Sequence, residues 1–438
     1  MTDMTPLTLG AKIRALRLAK GLTQGELTRG EITPGLISQI ESDRIAPSFR
    51  VISLLAEQLG VAPQEIMSDV EARASQLQTL RQARELLGAG RGAAAAVLLQ
   101  QLTESELCYI PLMELTVDLA YAHRLAGRLE EAADLYELVE QHALANNDQM
   151  LGHICMSRMG ELHYSQGRLS IAAYAYRKAL EFAYALPAGV TQPLHAIQKN
   201  LSICIYRLGN AELALTYAKQ AYDELSAASE PSPDQAETAH ILSVLFTELG
   251  MAEKGSEMAA AAVTLYRRLG MEAQAVDAKL NQAIVLRESG DYTAALNLLP
   301  TVIADYYRLG RSTYLANAWS ERALCELAIG ALDDAERSVE RCFPLAAPES
   351  AETVEAWRIR GLVAAAAGRL PAAARAMEQA EKLAVQLDLP TTLRQIAQDQ
   401  MGIFEQEGDA AQADLCRERL LALTAQVGLR KQLAAVIG

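Results

Sequence analysis

Polar side chains able to pair with base edges are concentrated in one stretch, Gly21 to Ser48, GLTQGELTRGEITPGLISQIESDRIAPS. Thr23 stands where a hydroxyl can cap a short helix over Gln24–Thr28, and Thr33 can cap a second running through Leu36, Ile37 and Ile40. Between them a four-residue turn, Arg29 to Ile32, holds Gly30, which is free to take positive φ. Two short helices about such a turn make a helix-turn-helix pattern. A second helix presented this way lays its N-terminal residues against major-groove base edges, so Thr33, Pro34, Gly35, Ser38 and Gln39 are the candidate readers. Gln39 is the strongest of them, because a carboxamide can bond adenine bidentately. The first helix points unpaired N–H groups toward a phosphate, which makes Gln24 a positioning contact. Arg44 and Ser48 lie where the backbone of double-stranded DNA returns.

Such a reader needs a small core behind it. Leu9, Ile13 and Leu16 give an apolar face to a helix before the motif, and Val51, Leu54, Leu55 and Leu59 do so for one after it, ended by Gly60. Val61 and Ile66 close the core. On the segments IRALRLAKGLTQGEL, LISQIESDRIAPS and LLAEQLGV, residues 9 to 67 resemble the lambda-repressor-like (XRE) helix-turn-helix family. The resemblance implies a structural ion pair between Arg17 and Glu41. From Leu27 to Ile37 the chain is one residue shorter than most members and lacks their Ala-Gly turn, a contraction similar to that of peptide-sensing quorum receptors.

Length and composition set the frame. A chain of 438 residues, half of them hydrophobic, is ample for two to four domains with packed cores. No apolar run is long enough for a membrane span or an N-terminal signal region, so a cytoplasmic protein without membrane contact is expected. The cysteines at 108, 155, 204, 325, 342 and 416 stand alone, with no CxxC pair and no histidine at ligand spacing, so neither a metal nor any other cofactor is expected. The net charge of −14 excludes a nucleic-acid wrapper. Residues 1–70 carry seven Lys/Arg against eight Asp/Glu, near neutrality, so a monomer should hold DNA weakly and a homodimer pairing two half-sites is expected.

Beyond Ser68 the sequence becomes periodic. Gly followed five residues later by a small residue recurs from Gly88–Ala93 through Gly127, Gly167, Gly209, Gly250, Gly290, Gly330 and Gly368 to Gly408–Ala413, at spacings of 38 to 42. A third small residue lies seven before most of these glycines, at Ala120, Gly160, Ser202, Ser243, Ala283, Ala323 and Gly361. Glycine turns one helix into the next, and small residues let the two approach closely. LRESGDYTAALNLL and LHYSQGRLSIAAYAYRKAL are identified as tetratricopeptide (TPR) repeats, with a period near 40 instead of 34. The expected architecture is all-α: a helix-turn-helix domain over 1–68, a linker helix over 69–87, about eight or nine hairpins of a right-handed TPR solenoid over 88–425, and a cap over 426–438.

In TPR proteins the first helix of each hairpin lines the concave face. Its matching positions here carry Ser157, Arg158, Lys199, Asn200, His240, Asn281, Asn317 and Arg358, with Tyr164, Tyr206, Arg207 and Arg287 nearer the helix ends. Asn200 and Asn281 hold the same repeat position, and a carboxamide both donates and accepts as an extended peptide backbone requires. Arg158, Lys199 and Arg358 could hold a carboxylate, or else pair with neighbours such as Glu161 and Glu355. Tyr136, Tyr174, Tyr217, Tyr266 and Tyr292 fall on second helices, where packing is the expected role. The six histidines are scattered and no Gly-rich loop follows a strand, which argues against an enzyme.

Over its whole length the chain resembles the RRNPP group of quorum-sensing regulators, in particular the PlcR-like and NprR-like members. That resemblance implies a cytoplasmic, dimeric transcription regulator whose repeat groove binds a short signalling peptide through first-helix asparagines, here Asn200 and Asn281. Two other readings stay open. The groove could take a protein partner of the sporulation or competence type, with DNA binding secondary. Resemblance to the Rap branch would instead have the array act on a response regulator, with Gln76, Gln78 or Gln82 orienting water.

Overall fold

The computed structural model describes residues 8–437 apart from 29–31, 46, 106–107, 188–189, 191–192 and 229. Regular structure among the described residues is helical throughout. The chain divides into two compact units, Met1–Leu162 and His163–Gly438.

The first unit opens with α1 (Leu9–Ala19), α2 (Gln24–Thr28), α3 (Pro34–Glu41) and α4 (Phe49–Leu59). Short helices depend on their ends, and these are well supplied. Thr23 and Glu26 form a reciprocal capping box, Thr33 Oγ1 accepts from Leu36 N at 3.2 Å, and Ser48 Oγ accepts from Val51 N. The expected turn from Arg29 to Ile32, Gly30 included, lies outside the described residues except for Ile32. Ile13, Leu27, Ile37, Ile40, Leu55, Leu59 and Ile66 meet in one core from which α3 projects its other side.

The helix α5 (Pro63–Gly88) runs unbroken from that core into the repeats. Its Leu80, Ala83 and Leu87 pack with α6 (Gly92–Thr103) and α7 (Leu112–Leu125). The unit continues through α8 (Leu129–Asn146) and most of α9 (Gln149–Ser165), around Val117, Ala120, Tyr136, Val139 and Cys155.

In the second unit α10 (Leu169–Tyr184) precedes three regular hairpins: α11 (His195–Arg207) with α12 (Ala211–Ser226), α13 (Pro233–Glu248) with α14 (Ala252–Arg268), and α15 (Glu272–Glu288) with α16 (Tyr292–Leu309). There follow α17 (Ser312–Ala328) with α18 (Leu332–Glu340), α19 (Ala351–Ala366) with α20 (Leu370–Gln386), and α21 (Pro390–Glu407) with α22 (Ala410–Ile437). From α11 to α19 each first helix touches both its own partner and the first helix of the next hairpin, the arrangement of TPR repeats. The second helix α18 stops after nine residues, where Pro344 removes a donor and disfavours helix before it.

The periodic glycines from Gly127 to Gly408 all take positive φ at the turns, as the spacing requires. The first differs. Gly88 is the last residue of α5, and Gly90, at φ 71°, makes that turn. The small residues act as expected: Ala120, Ser202, Ser243, Ala283 and Ala323 are buried, and a Cβ on Gly255 would come within 2.5 Å of Thr247 Oγ1. Among the described residues no helix is long and apolar enough to cross a membrane.

Candidate nucleic-acid interface and repeat faces

The outward face of α3 carries the candidate readers together. Thr33, Pro34, Gly35, Ser38 and Gln39 are all exposed, while Ile37, Ile40 and Glu41 of the same helix are buried. The side chains of Ser38 and Gln39 make no hydrogen bond within the described protein, so both are free to meet an external donor or acceptor. Arg44 and Ser48 are exposed beyond the end of α3, with Arg44 N donating to Gln39 O at 2.8 Å.

What holds α3 in place is ionic. Arg17 Nε and Nη2 donate to Glu41 Oε1 and Oε2 at 2.6 and 2.9 Å, and Arg17 Nη1 donates to Leu22 O. This is the pair implied by the family resemblance. Gln24 joins it, Nε2 donating to Glu41 Oε2 at 2.7 Å, so its carboxamide braces α2 against α3 and leaves backbone N–H groups as the phosphate-facing element. Burial opposes charge on Glu41, but hydrogen bonds from Arg17 and Gln24 outweigh it and hold the carboxyl below its ordinary value.

The repeat faces are organised by a second ionic motif. A cation on one first helix reaches a carboxylate on the next: Arg84 to Asp118 at 2.8 Å, Arg124 to Glu161 at 3.0 Å, Lys199 to Asp234 and Glu237 at 2.5 and 2.6 Å, Arg287 to Glu321 at 2.6 Å, and Arg358 to Asp399 at 2.5 Å. Their separations of 34 to 41 residues bracket the repeat period, so each pair fastens one hairpin to its neighbour.

This ladder takes in the expected cations. Lys199 is buried between two carboxylates. Arg358 is buried against Asp399 and, within its own helix, Glu355. Both follow the pairing alternative and are committed to protein partners. Arg158 bonds Glu161 at 3.2 Å but remains more than a third exposed. Tyr164 lies under the Arg207 guanidinium at 5.5 Å. Tyr206 is half-buried, its phenol pushed up by burial. His240 is held mainly neutral by burial, against the pull of Asp277 and Glu237.

The asparagines separate. Asn200 and Asn317 are half-buried, and their side chains make no hydrogen bond among the described residues. Asn281, at the repeat position equivalent to Asn200, is buried and donates to Ser243 Oγ on the preceding first helix. Equivalent register has given one free carboxamide and one structural tie.

Tyr136 and Tyr266 are buried as packing residues, whereas Tyr174 is 41% exposed. Of the tryptophans, Trp357 packs edge-on against Phe343, and Trp319 lies beneath Arg322 and Arg341. Every cysteine but Cys108 is buried, and burial pushes the Cys155 and Cys204 thiols to about 12. Among the described residues no group of His, Cys, Asp and Glu could hold a metal.

Comparison with known proteins agrees with this geometry. A family described as helix-turn-helix matches residues 13–66, and one described as tetratricopeptide repeat matches 80–148 and 280–351. Residues 13–66 thus form an XRE-type helix-turn-helix domain, and TPR repeats follow it. No curated protein matches the sequence. Among solved structures, a Rap protein complexed with competence and sporulation factor covers 82% of this chain and 99% of its own at 16% identity and a TM-score of 0.55. The apo form of RapI gives 81% and 98% at 12% identity and 0.65. The Rap conjugation gene regulator of plasmid pLS20, in complex with the Phr* peptide, gives 81% and 96% at 11% identity and 0.52. At these identities the likeness is one of fold.

Proposed function

We propose that this protein is a DNA-binding transcription regulator whose TPR repeats bind a short peptide, and that the peptide changes the geometry of a homodimer and so its grip on DNA. The observation that carries the DNA half is the face of α3. Its Ser38 and Gln39 side chains are exposed and unbonded, while the buried Arg17–Glu41 pair fixes the helix that presents them. The peptide half is supported by the half-buried, unbonded carboxamide of Asn200 on a first helix, and by likeness of fold to proteins solved with competence and sporulation factor and with the Phr* peptide. Asn281 would contribute only if its bond to Ser243 is given up on binding.

Switching follows from linkage. A ligand that fits one arrangement of the repeats better than another shifts the population by its difference in affinity, and a swing from 1:99 to 99:1 takes about 5.5 kcal/mol. The near-neutral reader domain makes two half-sites necessary for firm binding, so dimer geometry is an effective control point. The test is selection from a library of randomised duplexes by the full chain. Enrichment of a two-half-site sequence that loses discrimination at one base pair in Gln39→Ala supports the reading, and recovery of no common sequence overturns it.

A further inference from the structure

Among the described residues, the inter-repeat ladder has one place where cations outnumber acids. Lys199 faces Asp234 and Glu237, Arg358 faces Glu355 and Asp399, and Arg287 faces Glu288 and Glu321. Between α7 and α9 the ratio reverses. Glu161 alone serves both Arg124, at 3.0 Å, and Arg158, at 3.2 Å. The two guanidiniums lie 4.8 and 4.1 Å from the ring of Tyr121, which braces them side by side.

Two polar atoms of this cluster have no hydrogen-bond partner although both are buried: Arg124 Nε and the Tyr136 hydroxyl. Tyr136 is 0% exposed, and its hydroxyl lies within the electrostatic reach of Arg158, Arg124 and Glu161. Burial keeps that phenol protonated, and thus a donor. An orphaned buried donor costs free energy unless something meets it. Two of them beside a surplus guanidinium call for an anionic acceptor.

The neighbouring space has a different character. A cavity of about 550 Å³ lies along the same two helices, lined by Leu112, Met113, Val117, Met150, Leu151 and Ile154. Its acidic residues are occupied: Glu114 and Asp118 face Arg84, and Asp148 accepts from Leu151 N at 3.0 Å. Val117 precedes Tyr121, and Ile154 precedes Arg158, by four residues, about one helical turn or roughly 6 Å. The spacing puts the apolar lining on the same faces of α7 and α9 as Tyr121 and Arg158.

We infer that Arg158, with Arg124 beside it, forms a seat for the carboxylate of a peptide's last residue, whose apolar side chain enters the adjoining cavity, and that the buried Tyr136 hydroxyl reaches the anion by a side-chain shift on binding. The inference rests on the peptide reading above and adds the chemistry of one end of the ligand. It also accounts for the exposure of Arg158 and Ile154 on a ladder whose other predicted cations are buried. An aspartate or glutamate side chain would offer the same anion, and the experiment separates the two sources.

Two pools of synthetic heptapeptides, identical except for a free acid or an amide at the C-terminus, are passed over the full chain and the retained peptides read by mass spectrometry. The expected result is retention of free acids ending in Leu, Ile, Met or Phe, weakened about tenfold or more by amidation, the scale of one charge-assisted hydrogen bond. Arg158→Gln should weaken the free acids by a similar factor and leave the amides unchanged. Tyr136→Phe, which keeps the packing and removes only the hydroxyl, should weaken them by a few-fold. Amidated peptides retained through an internal Asp or Glu, and lost in Arg158→Gln, would keep the seat and assign it to a side chain. Equal retention of acids and amides, indifferent to Arg158→Gln, overturns the seat while leaving peptide binding intact. Retention of neither pool overturns the peptide reading and the seat with it.

Discussion

The face of α3 and the first helices of the repeats both carry polar residues at positions expected to meet a ligand, and they use them in opposite ways. On α3 the side chains of Ser38 and Gln39 are exposed and unbonded, and the charges sit behind the helix in the Arg17–Glu41 pair. On the repeats Lys199 and Arg358 are themselves the fasteners, buried between carboxylates of the same or the next first helix. A short helix on a small core can spare its outer face for recognition because one buried ion pair positions it. A stack of hairpins must fasten each unit to its neighbour, and does so with the residues that line it. Ligand chemistry in the array is therefore to be sought where the fastening is incomplete, at Asn200 and at the Arg124–Arg158 surplus.

That contrast can be broken most forcefully at the buried charges. Arg17→Ala strands Glu41 and Arg358→Ala strands Asp399, and removing one partner of a buried pair costs about 3–5 kcal/mol. Urea unfolding with hydrogen exchange at α3 and at α19–α21 should find the first loss confined to the reader and the second to the repeats. The reader also carries a pH signature. Glu41 has a folded pKa below its unfolded value, so its contribution is fully present above about pH 4.5 and is lost as pH falls through the depressed folded value. Acid titration of α3 should follow that course, and Glu41→Gln should remove the dependence.

A smaller effect sharpens the other side of the comparison. Gln39→Ala should cost about 1–3 kcal/mol of discrimination at one base pair and leave stability unchanged, measured by competition binding with single-substitution duplexes. Smallest is the contrast between the two asparagines. Asn281→Ala should lose about 1 kcal/mol of stability with its bond to Ser243, whereas Asn200→Ala should stay within about 0.5 kcal/mol yet weaken peptide retention. Equal stability losses would mean that their environments are alike after all.

The parts of the fold legible in the sequence are those written in local signals. Thr23, Glu26 and Thr33 announce helix starts whose caps form within three residues, and glycine spacing near 40 announces hairpins because each turn must adopt positive φ. Around Gly88, Gly90 and Gly92 that signal misleads, since Gly88 is the glycine that fits the period to Gly127, yet the turn falls on Gly90. The ladder was hidden for a different reason. Its partners lie 34 to 41 residues apart among many charges, and only packing chooses between them. Arg158 with Glu161 and Arg358 with Glu355 could be named because they share a helix turn; Asp399 and the Tyr121–Arg124–Tyr136 surroundings of Arg158 could not.

The proposed switch requires coupling between the helix-turn-helix domain and the repeats. The direct measurement is fluorescence anisotropy of a selected duplex titrated with the full chain, with and without a peptide retained by the repeats. A change in DNA affinity of about fivefold or more, in either direction, is the result predicted for linked sites, and it should vanish in Asn200→Ala. Superimposable titrations with peptide bound would contradict the account, leaving a DNA reader and a repeat array that share a chain without sharing a switch.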